Sequence, residues 1–137
     1  MPPSPDAGLL SPGRRWALAL VYLGLVHITS SFAPGPTGFI PLAGVDKLVH
    51  LCEFGALALV FWRPLRETAP RHPELRVAAV LFLFVAVNGV LDEFHQSFVP
   101  GRHASWADAA ADALGAGAAL FWLLHREKAR VSGSSGI

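Results

Sequence analysis

Apolar runs separated by short polar or proline-rich stretches recur four times along this chain. They extend from Trp16 to about Phe32, from Asp46 to Trp62, from Leu75 to Phe98 and from Trp106 to about Leu124. Each comes close to the ~20 residues that a helix needs to cross a hydrocarbon layer. The pattern predicts helices at about 15–32, 46–63, 75–98 and 106–125. Residues 33–44 hold Pro34, Gly35, Pro36, Gly38, Pro41 and Gly44, a density of helix breakers that reads as a loop. Pro64, Pro70 and Pro73 are expected to end the second helix, and Pro100-Gly101 to turn the chain between the third and fourth. Residues 1–13 and 131–137 read as flexible tails around a single helical domain at 14–130.

Composition sharpens this into a membrane assignment. Of 137 residues, 53% are hydrophobic and only 15% charged, against roughly 25% charged in soluble domains. Mean hydropathy is +0.44. Such a chain lacks the charge to cover a water-facing surface, so the expected class is all-α: an integral membrane four-helix bundle with no room for a separate soluble domain. The first run, preceded by Arg14 and Arg15, also has the look of a secretory leader. Ser31-Phe32-Ala33 resembles a cleavage site, but Pro34 directly after it would hinder the cut, and a retained first helix is the expectation. The lone Cys52 reads as packing, and no basic stripe or motif suggests a nucleic-acid partner.

Charge distribution gives an orientation. Arg14, Arg15, Arg63, Arg66, Arg71, Arg76, Arg126, Lys128 and Arg130 all fall at one end of an up-and-down bundle, and only Lys47 and Arg102 at the other. The excess of Lys and Arg on cytoplasmic loops then places both termini in the cytoplasm.

The outward end collects the remaining polar side chains. Asp46, His50 and Glu53 follow i, i+4, i+7 spacing and share one helical face, with Lys47 beside them. Asn88, Asp92 and Gln96 form a second stripe, flanked by Glu93 and His95, and Asp108 and Asp112 a third, just after Arg102. Ionisable groups inside a bilayer usually face the bundle interior and pair, so the three stripes are expected to line one outward-facing pocket. Asp46 and Asp108 also suit the simpler role of helix N-terminal acids. Nitrogen and oxygen donors at His50, Glu53, Asp92, Glu93 and Asp112 suit a divalent metal, although no specific metal-binding motif is present. His27 and the hydroxyls of Ser97 and Ser105 read as packing, turn or cap residues. Ala111, Gly115 and Ala119 form a small-residue seam, which fits packing within the bundle better than a homodimer face.

Three pieces of this pattern together resemble the VanZ-like membrane protein family: Asp46-Lys47-x-x-His50-x-x-x-Phe54, Asp92-Glu93-x-x-Gln96-x-Phe98-x-Pro100-Gly101-Arg102, and Asp108 with Gly115. The resemblance spans about Val45 to Trp122. It implies a four-helix, multi-pass protein of the bacterial inner membrane, and an association with resistance to the glycopeptide teicoplanin, as for the name-giving member. It supports Asp46, Lys47, His50, Asp92, Glu93, Gln96, Arg102 and Asp108 as functional positions. Asp112 departs from it, since the family commonly has Asn there, while Glu53 and His95 rest on helix geometry alone. The leading expectation is a pocket that binds or processes a membrane lipid head group or lipid-linked cell-wall precursor, with Arg102 holding an anionic group. The alternatives are a metal-assisted hydrolase or transferase, an ion or proton pathway, and a purely structural polar network.

Overall fold

The computed structural model describes residues 10–32 and 44–134, and they form four helices: α1 (Pro12–Ser30), α2 (Val45–Thr68), α3 (Glu74–Gln96) and α4 (Trp106–Ser134). Residues 33–43 of the loop expected at 33–44, and residues 1–9 and 135–137 of the expected tails, lie outside the described residues.

Helix boundaries depart from the sequence expectation where local chemistry outweighs composition. α1 opens at Pro12 because Ser11 caps it, its hydroxyl accepting from the Arg14 N–H at 3.4 Å, with proline in the first turn, where its missing N–H is harmless. Pro64 lies inside α2 rather than ending it. Its ring is fully buried, and the last turn is held beyond it by the Thr68 hydroxyl on the Pro64 and Leu65 carbonyls at 3.2 and 3.0 Å. α4 continues through the charged run 125–130 to Ser134, since Arg, Glu, Lys and Ala are good helix formers. Between α3 and α4, Arg102 N–H donates to the Val99 carbonyl at 3.0 Å. Gly101 in that turn has φ +83°, a value that calls for glycine after proline in a tight turn.

The helices run up and down. Arg15 at the start of α1 pairs with Glu67 at the end of α2. Trp62 Nε1 donates to Glu127 of α4 at 3.2 Å, and Arg66 meets Glu74 of α3 at 3.5 Å. The arginine-rich helix ends therefore gather at one end of the bundle and the acidic stripes at the other. Between them lies an apolar middle built around Phe54, Leu57, Phe61, Leu81, Val85 and Leu120.

α2 and α4 share the most extensive contact, and glycine permits it. A Cβ on Gly115 would run into the Leu51 carbonyl, and one on Gly55 would lie 3.2 Å from the Gly115 carbonyl oxygen. The small-residue seam on α4 thus serves packing within the chain, as its sequence suggested.

Outward faces are apolar: Leu20, Val21, Leu75, Leu83, Phe98, Leu114 and Phe121 are all exposed. α2, α3 and residues Trp106–Ala129 of α4 are long and apolar enough to cross a membrane. α1 is helical as expected but is not among them. Arg14, Arg15, His27, Thr29 and Ser30 lower its hydropathy, although α1 runs the length of the bundle, from Arg15 beside Glu67 to Ser30 beside Asp92.

Candidate functional site

At the acidic end of the bundle, His50, Asp92, Glu93, Gln96, Asp108 and Asp112 are all buried, Asp92 at 1% and Asp112 at 0% exposure. Burying this many polar groups is costly unless each finds partners, and the partners sort them into three linked groups.

The first surrounds Asp92. Its Oδ1 accepts from the Ser30 hydroxyl at 2.5 Å and lies 3.3 Å from His27 Nδ1, while its Oδ2 accepts from the Gln96 amide at 2.7 Å. His27 Nε2 reaches Asn88 Oδ1 at 3.4 Å, and the Asn88 amide donates back to the Phe84 carbonyl. Gln96 in turn accepts from Arg102 at 3.0 Å. Both Asp92 oxygens are therefore satisfied, by α1 as well as α3.

The second is a surface-facing clamp. Lys47 Nζ donates to Asp46 and to Asp108, both at 2.9 Å, tying the start of α2 to the start of α4. Asp46 itself is exposed.

The third is the most deeply placed. The His50 ring stands between two carboxylates, with Nδ1 3.0 Å from Asp112 Oδ1 and Nε2 3.8 Å from Glu93 Oε1. The other Glu93 oxygen accepts from the Ser105 backbone N–H at 2.6 Å. Ser105 also places α4, its hydroxyl accepting from the Asp108 N–H at 3.3 Å. Two oxygens are left over: Glu93 Oε1 and Asp112 Oδ2 are buried with no hydrogen-bond partner among the described residues. Asp112 fits only because residue 89 is glycine, for a Cβ there would stand 2.7 Å from Asp112 Oδ2.

Of the residues picked out from sequence, His50, Asp92, Glu93, Gln96, Asp108 and Asp112 are brought together and buried. Lys47, Asn88 and Arg102 join at the margin. Glu53 is half-buried, and its side chain makes no hydrogen bond or ion pair among the described residues. His95 is exposed and meets the Ser31 hydroxyl at 2.9 Å. Arg102 differs from its expected use: its guanidinium donates to the Phe32 carbonyl at 3.3 and 3.1 Å and to Gln96, so it ties the end of α1 to the turn. Sequence reasoning missed Ser30 and underrated His27 and Ser105. A serine or histidine at a helix end carries no periodic signal, and only the fold brings residues 27 and 30 to Asp92.

Glu93 also lines a cleft of about 210 Å³ between the end of α3 and the start of α4, walled by Val90, Phe94, Ala104 and Trp106, with Ser97 and Ser105 also on its lining. Below the polar cluster the buried layer turns to Phe54, Leu57 and Val85, and no polar path continues through the middle of the bundle among the described residues.

A small helical bundle with membrane-length helices and an acid–histidine cluster buried at one end defines a membrane protein of the compact helical class. A family model described as VanZ/LLP1 matches residues 8–125, and the chain belongs to that family. Neither a search of curated proteins nor one of solved structures finds a match.

Proposed function

We propose that this chain is a multi-pass protein of the bacterial inner membrane, with both termini cytoplasmic, whose outward end binds an amphipathic envelope component: a lipid head group or a lipid-linked cell-wall precursor. The observation that carries this reading is the cleft at Glu93. Its apolar walls, Val90, Phe94 and Trp106, end on the buried Glu93 carboxylate, which suits a molecule with an acyl chain beside a hydrogen-bond donor. The cations at this end are engaged, Lys47 by Asp46 and Asp108 and Arg102 by Gln96 and the Phe32 carbonyl. The favoured head group is therefore one that donates, an amine or a sugar hydroxyl, rather than a bare phosphate.

Short-chain lipids with different heads test this in detergent solution. Amine- and sugar-headed forms should bind saturably, and a choline-headed form, which lacks N–H donors, should bind at least about tenfold more weakly, roughly the worth of one hydrogen bond to a charged group. Equal binding of all heads would contradict the reading. In cells, protection against teicoplanin is expected from the wild-type protein and not from Glu93→Gln. Protection by both would separate resistance from this cleft.

A further inference from the structure

Beyond head-group binding, we infer that His50, Glu93 and Asp112 form a site for a divalent first-row metal ion, Zn²⁺ being the best fit. Each offers one ligand atom, and the three atoms lie within 4.8 Å of one another on buried side chains. Two features besides proximity point to a cation. First, Glu93 Oε1 and Asp112 Oδ2 are buried without a hydrogen-bond donor, whereas the neighbouring Asp92 has donors on both oxygens. An acceptor buried beside an already complete network calls for a donor or a cation. Second, the charges do not balance within the group. Two carboxylates around one imidazole leave a net negative charge even with His50 protonated, and Lys47 and Arg102 are committed elsewhere. A divalent ion with neutral His50 brings the group to zero.

The spacing agrees with this. His50 Nε2 and Glu93 Oε1 are 3.8 Å apart, too far for a hydrogen bond. Zinc–nitrogen and zinc–oxygen bonds of about 2.0–2.2 Å put neighbouring ligand atoms of a tetrahedral site about 3.3 Å apart, so this pair closes by about half an ångström and no pair of the three, all within 4.8 Å, has to close by more than about 1.5 Å. Nitrogen and carboxylate oxygen donors suit zinc or manganese. One imidazole and two carboxylates fill three positions, leaving an open one as at catalytic zinc sites.

The test uses the full-length protein in detergent, stripped with a chelator and titrated with Zn²⁺ alone. One ion per chain should bind. His50→Ala and Glu93→Gln should each weaken binding at least about 100-fold, the upper range for loss of even a supporting residue, while His125→Ala, exposed on α4, should leave it unchanged. Absence of Zn²⁺ binding to the folded wild type, or undiminished binding in both variants, overturns the inference. If the variants do not fold, Co²⁺ bound to the wild type decides. A visible spectrum of nitrogen and oxygen donors supports the site, and a thiolate charge-transfer band would place the ion at the exposed Cys52 and overturn it. Glu93 is common to this site and the lipid cleft, but the outcomes separate in the wild type: lipid binding without Zn²⁺ binding contradicts this inference alone, and Zn²⁺ binding without lipid binding contradicts the lipid reading alone.

Discussion

At the scale of single residues, the site is a contrast between carboxylates that are satisfied and carboxylates that are not. Asp92 takes hydrogen bonds from Ser30 and Gln96, and losing one such bond to a buried charge costs about 1.5–3 kcal/mol. Ser30→Ala should lower stability by about that amount in a detergent unfolding titration, with Zn²⁺ binding retained, because Asp92 lies outside the three-residue metal group. Arg102 allows a second prediction. Its guanidinium is bound to the Phe32 carbonyl and Gln96, so Arg102→Ala should reduce stability while leaving the relative preference among lipid head groups unchanged; a selective loss of anionic lipids would restore it to the role its sequence suggested. His50, Asp92, Glu93 and the aspartates of the fourth helix were legible because charge inside apolar runs is conspicuous. Ser30 was not, since it lies 62 residues from Asp92 in sequence and a helix-end serine is unremarkable until the helices are packed.

At the scale of elements, two glycines decide how closely helices meet. Gly115 lies against the Leu51 carbonyl of α2, and any side chain there must push α2 and α4 apart. Gly115→Leu should cost at least about 1–3 kcal/mol, as overpacking does, and should loosen His50 from Asp112, which sits on the same seam. Gly24→Ala is the control. Nothing lies within 4 Å of a Cβ at that position, so the substitution should be stabilising by about 0.5–1 kcal/mol, measured in the same unfolding titration. The four helices were readable from hydrophobic run length, but their ends were less so. Proline content argued for a stop at Pro64, whereas in the fold the ring is buried and α2 carries on to Thr68. A residue's helix-breaking tendency is a local property, and packing on a neighbour can exceed it.

At the scale of the whole molecule, the two ends differ in charge and the middle is apolar, an arrangement suited to a site reached from one membrane face. Reporter fusions at the N- and C-termini should both report the cytoplasm; opposite locations would mean an odd number of spans and contradict the four-span up-and-down bundle. The polar cluster stops at the Phe54 and Val85 layer, which suits binding at one face more than conduction through it. The central claim is that the cleft ending on Glu93 holds a lipid by its donor-bearing head, and native mass spectrometry of protein released from its own membranes tests it most directly. The account predicts that the wild type retains an amine- or sugar-headed lipid, that Glu93→Gln loses it, and that Trp106→Ala, which removes an apolar wall of the cleft, retains less. Equal lipid occupancy in all three proteins would contradict it.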